Sequence, residues 1–220
     1  MPLRVEPLRD RKLHRLVKAA DLRRLRRGEV VAEGGEAARD AWLVREGRLG
    51  LVAAAASEVR ARTVAVFGPR ELLVDLGAPG RRRPERVVAA EPATCVRLDG
   101  EAVLQVIRSS ARTLAALLEA THRELELARA LGHGGAGATA DARVALVILD
   151  LARRWGERSD GGVRVPGRLT HQELGDLAGV HRSTVTTALN EWLYRGVLRT
   201  GPGGIEIPKP DLLERIARDR

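Results

Sequence analysis

From Leu104 onward, apolar residues fall into two interleaved series: Leu104, Ala111, Leu118 and Leu125, and Ile107, Leu114, Thr121 and Ala128. Each series repeats every seven positions, the second three places behind the first. These are the a and d positions of a heptad. Four heptads predict one long helix with a seam narrow enough to pack on a single partner helix. The most economical partner is the same helix of a second copy, which makes all eight residues a candidate dimer interface. The alternative is packing on the chain's own N-terminal part, although a helix this long outruns a small barrel. Thr121 is the polar member of the seam, either setting register or simply tolerated.

Between residues 28 and 98 the pattern is different. Short apolar runs such as Val30-Val31, Trp42-Leu43-Val44 and Leu49 to Val52 are broken by Gly34-Gly35, Gly47, Gly68, Gly77 and Gly80. This is strand-and-turn punctuation, and from Glu58 to Val66 charged residues alternate with small or apolar ones, as in a strand with one wet face. A compact antiparallel barrel or roll fits. The seam helix is expected to stop at Gly132, where Gly132-His133-Gly134-Gly135-Ala136-Gly137 spells GxGxxG. A dinucleotide fingerprint needs a strand before its first glycine, whereas here a helix precedes it, so a hinge is expected. The predicted division is a roll over 1–98, a dimerisation helix over 99–132, a hinge over 133–140 and a last domain over 141–220.

That last domain opens with an amphipathic helix from Asp141 to Arg154 and a turn-rich stretch from Gly156 to Gly167. Thr170, followed three residues later by Glu173, is a capping box that starts a helix, and Gly179 is free to take the left-handed conformation that ends it. Leu174, Leu177, Val180, Val185 and Leu189 then hold two helices across one another, leaving Arg182, Ser183, Thr186 and Thr187 outward. A second helix with such a face fits the major groove of duplex DNA, where Arg takes the O6/N7 edge of guanine and hydroxyls bond base edges or phosphates. Val197 to Thr200 and Ile205 to Ile207, joined by Gly201-Pro202-Gly203-Gly204, predict a wing with Arg199 at a phosphate. Pro208 and Pro210 end the strand, and a closing helix runs from Asp211 to Arg218 with Leu212, Leu213 and Ile216 inward. Winged helices also dock proteins, so an adaptor is the alternative.

Charge does not decide between these. The chain has 38 Lys+Arg against 29 Asp+Glu, net +9, but most of the excess lies in the first thirty residues, where a solvated helix surface accounts for it equally well. Five aromatics, 3 Trp, 1 Tyr and 1 Phe, are too few for stacking on single strands, which favours duplex. The lone Cys95 cannot form an intramolecular disulfide or a four-thiolate cluster, and is expected to be a small buried residue in a reducing compartment. With no apolar leader and no stretch of roughly 18 uncharged residues, a cytoplasmic location and no membrane contact are expected. His14, His122, His133, His171 and His181 have no ligand spacing, and HExxH, GxSxG and phosphate-loop motifs are absent. No cofactor and no catalysis are expected.

The run from Gly28 to Glu36 and the run from Trp42 to Leu49 are similar to the first strands of the β-roll in bacterial transcription regulators of the cyclic-AMP receptor protein and fumarate/nitrate regulator (Crp/Fnr) family. Leu169 to Leu189 is the most specific match, resembling the family pattern of Thr, Gln-Glu, Gly, Arg, Thr-Val and Leu in register. The resemblance implies an α+β chain: a cyclic-nucleotide-binding-like β-roll (jelly roll), a long dimerisation helix and a C-terminal winged helix-turn-helix. It implies a homodimer on an inverted-repeat duplex, working with RNA polymerase. It puts Thr170, Gln172 and Thr184 at phosphates and Arg182, Ser183 and Thr187 at base-reading positions. With His181, Thr186 and Arg199 these are the candidate DNA-binding residues.

Departures from the family matter. Ser183 stands where a Glu is common and Thr187 where a second Arg is common, so the half-site should differ. The family's phosphate cassette has Gly-Glu-Leu and Arg-Ser/Thr-Ala. Here Val74 takes the glycine's place, Asp75 the glutamate's, and Arg83 is followed by Pro84 and Glu85. A proline lacks an N–H and a carboxylate repels phosphate, so cyclic-nucleotide binding is not expected. The pocket positions Val74, Asp75, Arg82 and Arg83, with Arg70 nearby, leave open an unidentified anionic effector.

Overall fold

An uninterrupted apolar run suits a strand only where both faces of its sheet are covered, and two such runs, 41–44 and 72–74, pair side by side in the first half of this chain. A computed structural model of the protein describes residues 2–3, 10–33, 40–53, 61–75, 85–132, 138–159 and 161–219. The chain forms two units, Met1–Glu124 and Leu125–Arg220. The first contains β1 (Pro2–Leu3), α1 (Arg11–Ala19), β2 (Leu22–Leu25), β3 (Val30–Ala32), β4 (Asp40–Glu46), β5 (Leu49–Ala53), β6 (Arg62–Phe67), β7 (Leu72–Asp75), β8 (Glu85–Ala89), β9 (Ala93–Asp99) and α2 (Gly100–Ser109). The division between units falls within α3 (Ala111–Gly132).

Two antiparallel sheets, ordered β1-β7-β4-β9-β2 and β3-β8-β5-β6, make the roll. Alternate residues of the central strands serve two cores. Ala41, Leu43, Leu72, Val74, Val96 and Leu98 pack with Leu13 and Val17 of α1, Val103, Val106 and Ile107 of α2, and Leu117 of α3. Their neighbours Trp42, Val44, Leu73 and Cys95 face the other sheet, meeting Leu49, Phe67, Val87 and Ala89. The alternating strand expected from Glu58 is β6 from Arg62 onward; its first residues lie outside the described ones.

The long helix is two helices. Ser110 is extended (φ −125°, ψ 103°) between α2 and α3, and its hydroxyl accepts the Thr113 N–H at 3.2 Å, in the manner of an N-cap. The expected seam is corrected at its start: Ile107 belongs to the roll's core and Leu104 packs against it. Along α3, Leu114, Leu118 and Leu125 are 43%, 62% and 45% exposed; Ala111 and Ala128 are exposed, and Thr121 is half-buried. The Thr121 hydroxyl donates to the Leu117 carbonyl at 2.9 Å.

The second unit has α4 (Ala140–Trp155), β10 (Glu157–Ser159), β11 (Gly162–Pro166), α5 (His171–Ala178), α6 (Arg182–Tyr194), β12 (Arg199–Gly201), β13 (Gly204–Ile207) and α7 (Pro210–Arg218). The turn-rich stretch from Gly156 to Gly167 holds the β10–β11 hairpin, which extends the wing to an antiparallel sheet ordered β10-β11-β13-β12. Val144, Ala145, Ile148 and Leu151 of α4 are enclosed. Of the hinge expected over 133–140, residues 133–137 lie outside the described residues, and α4 begins at Ala140 with Thr139 as its N-cap.

Asp10 ties the roll's helices together. One carboxylate oxygen caps α1 by accepting the Lys12 and Leu13 N–H groups at 2.8 and 3.3 Å, and the other accepts the Ser110 and Thr113 hydroxyls at 2.6 and 2.9 Å. The Ser110 bond, aided by Thr113 and the two N–H groups and opposed by partial burial, lowers its pKa from 3.8 to about 2. The ionised form therefore stabilises the fold in full above the unfolded value, and that stability is lost as pH falls through about 2. Asp10→Ala is expected to lower unfolding free energy by about 1 kcal/mol in urea titrations at neutral pH. It should also blunt the acid loss of stability, and an acid profile identical to that of the unsubstituted protein would remove Asp10 from the clamp. Burial pushes the Cys95 thiol up to about 12. Cys95 is expected to stay silent to a thiol reagent at about pH 8 and to react fully in urea; rapid native labelling would place it outside the core.

Candidate nucleic-acid interface

Local chemistry starts α5 where the sequence expects it. The Thr170 hydroxyl accepts the Glu173 N–H at 3.1 Å, and the Glu173 carboxylate accepts the Thr170 N–H at 2.8 Å. Gly179 ends the helix in the left-handed region, φ 64° and ψ 36°. The turn is tight: the Val180 N–H reaches the Gly175 carbonyl at 2.9 Å, and a Cβ on Gly175 would lie 2.9 Å from the Val180 carbonyl oxygen. From α4, Arg143 donates to the Gly179 carbonyl at 2.8 Å, fixing the turn in a way no local motif announces. Leu174, Val185, Ala188 and Leu189 are buried where α5 and α6 cross.

His181 caps α6. Its Nδ1 accepts the Ser183 N–H at 3.3 Å and lies 2.8 Å from the Ser183 hydroxyl. An accepting Nδ1 assigns the proton to Nε2, leaving that nitrogen as a donor. Arg182 and Ser183 are exposed and Thr184 is half-buried. The Arg182 guanidinium has no hydrogen bond or ion pair among the described residues. Thr186 donates to the Arg182 carbonyl at 3.1 Å and lies 2.8 Å from His171 Nδ1, a brace between α5 and α6. Thr187 donates to the Ser183 carbonyl at 3.2 Å.

Ser183, Thr187, Asn190 and Tyr194 are all exposed, and their spacing of four, three and four puts them on one helical face. The spacing carries the signal for Asn190 and Tyr194, which the motif alone does not single out. Tyr194 is 94% exposed. Among the remaining candidates, the Gln172 amide donates to Asp176 at 3.0 Å, and the Thr170 hydroxyl keeps its own hydrogen to donate. Arg199, on the wing, is 69% exposed and 3.8 Å from Glu206.

Of the candidate effector positions, the side chain of Val74 alone is among the described ones. Val74 is corrected to a core residue, 1% exposed, because β7 is covered on both faces. The backbone of Asp75 pairs with that of Pro2, while Arg82 and Arg83 lie outside the described residues. Arg70 takes φ 68°, a conformation glycine adopts more readily. Among the described residues no group of three or more His, Cys, Asp or Glu could hold a metal, and no helix is long and apolar enough to cross a membrane.

Comparison with known proteins follows the same two units. A cyclic nucleotide-binding domain model matches residues 22–110, and a Crp-like helix-turn-helix domain model matches residues 142–216. The Cyclic AMP receptor protein of Thermus thermophilus is 35% identical over 160 residues, covering 71% of this chain and 69% of that one. The CRP-like cAMP-activated global transcriptional regulator of Mycobacterium tuberculosis is 27% identical over 194 residues, covering 87% and 86%. The solved structure of FixK2 from Bradyrhizobium japonicum shares the fold, with a TM-score of 0.72 at 19% identity over 92% of this chain and 99% of that one. A roll of this topology and a winged helix-turn-helix of this geometry, each matched by its own model, make the chain a member of the Crp/Fnr family of DNA-binding transcription regulators, which are not enzymes.

Proposed function

We propose that the protein is a homodimeric regulator that reads an inverted-repeat duplex through Arg182 to Thr187 of α6 and does so without cyclic AMP. The observation that carries the DNA reading is the exposed Arg182, its guanidinium unengaged among the described residues at the start of a helix that otherwise offers short polar side chains. Such a fork matches the O6/N7 edge of guanine. Thr170, Gln172, His181 and Thr184 flank it as phosphate contacts, with Arg199 reaching a phosphate from the wing. Leu114, Leu118 and Leu125 support the dimer: an exposed leucine stripe at helical spacing gains by being covered, and a second copy of α3 presents the matching stripe. Two copies would set their α6 helices in successive major grooves, about 34 Å apart. Control of transcription then runs through RNA polymerase, as family membership implies.

Independence of cyclic AMP is supported by the buried Val74 and by Asp75, Pro84 and Glu85 at cassette positions. The second reading, activation by cyclic AMP, is favoured by the names of the two relatives. Fluorescence anisotropy on duplexes selected from random DNA, with and without cyclic AMP, separates them. Equal affinity is expected; binding that appears only with the nucleotide would overturn the proposal.

On the selected duplex Arg182→Ala is expected to cost about 1–3 kcal/mol and relax sequence preference, whereas Arg199→Ala should weaken all duplexes alike and reduce the salt slope by about one. Leu118→Glu, at an exposed position, should leave the circular dichroism spectrum unchanged and halve the mass in sedimentation equilibrium. An unchanged dimer mass would take Leu118 out of the interface.

A further inference from the structure

The hydroxyls on the outward side of α6 are already occupied. Thr187 donates to the carbonyl of Ser183 at 3.2 Å and Thr186 to that of Arg182 at 3.1 Å, while the Ser183 hydroxyl sits 2.8 Å from His181 Nδ1. A threonine whose hydroxyl is turned back against the preceding turn has its other branch, the Cγ2 methyl, facing away from the backbone. Thr186 is half-buried and braced by His171, but Thr187 is exposed. Reading a base edge with the Thr187 hydroxyl as donor would give up the bond to Ser183, whereas its methyl is available as it stands. In the major groove the apolar mark that such a methyl can meet is the 5-methyl group of thymine.

We infer that Thr187 reads a thymine by methyl-to-methyl packing, in the same half-site in which Arg182 reads a guanine. This rests on α6 being the base-reading helix. It deepens that reading by assigning the class of base and the part of the side chain that recognises it. Thr187 thus supplies shape and apolar contact where a longer polar residue would supply hydrogen bonds.

The test removes the two methyl groups separately. On the duplex selected by the intact protein, with or without cyclic AMP as binding requires, each half-site thymine is replaced in turn by deoxyuridine, which lacks only the 5-methyl group. One position should weaken the unsubstituted protein by about fourfold, the effect of burying one methyl group. Thr187→Val, which keeps the methyl and loses the hydroxyl, should bind within about twofold of the unsubstituted protein and remain sensitive to that replacement. Thr187→Ser, which keeps the hydroxyl, should bind the thymine and deoxyuridine duplexes equally. Thermal melts establish that both variants are folded.

Indifference of the unsubstituted protein to every replacement overturns the inference, as does loss of binding in Thr187→Val with retention in Thr187→Ser. Arg182→Ala tells the two levels apart. If it relaxes sequence preference while thymine and deoxyuridine bind alike, α6 remains the reading helix and the role of Thr187 falls. If sequence preference survives Arg182→Ala, the base-reading assignment of α6 fails and takes the inference with it.

Discussion

The central strands of the roll are covered on both faces over most of their length, with Arg97 near the end of β9 left exposed. β4, β7 and β9 send one set of side chains toward α1, α2 and the start of α3 and the alternate set toward the second sheet, so each strand is held by two cores. Burial of a leucine such as Leu43 or Leu72 is worth about 1.5–3 kcal/mol, and residues of this kind alternate between the two sides along every central strand. The helices are therefore half of what keeps the sheet dry. Asp10 matters for the same reason: it fixes α1 to the start of α3 through Ser110 and Thr113, closing the cover over one of the two cores.

A different constraint governs the second unit, namely how closely α5 and α6 approach. Gly175 lets the chain pass near the Val180 carbonyl, Gly179 turns it, and Arg143 holds the turn from α4. Together they fix the angle at which α6 presents its outward residues. The His171 to Thr186 contact adds a polar tie near the start of α6, where reading residues of such a helix concentrate.

Legibility in the sequence follows range. The capping box at Thr170 and Glu173 and the stop at Gly179 are settled by residues within a few positions, and the structure has them as expected. The heptad was a weaker guide, because its seven-residue spacing runs unbroken across the extended Ser110, whose Asp10 partner is 100 residues away in sequence. Val74 stands at a cassette position by its place in the motif, and only the cover on both faces of β7 shows it to be core. The β10–β11 hairpin has no hydrophobic signature, because its outer strand, Glu157-Arg158-Ser159, is polar throughout and is held by pairing and by the Arg164 to Glu157 bridge. Arg143, 36 residues from the carbonyl it grips, left no local trace.

Apart from Arg182, the outward residues of the first two turns of α6 are short-armed, with a thermodynamic consequence. Immobilising a long arginine or glutamate forfeits up to about 2 kcal/mol of rotamer freedom, while a threonine or serine already pinned by its own helix has little left to lose. If α6 is the reading helix, such a surface would meet DNA as a nearly rigid relief, with the ordering cost of association falling mainly on Arg182. Short side chains would also demand that the helix backbone come close to the groove floor, which would make groove width, and hence the stiffness of base pairs the protein never touches, part of what is recognised.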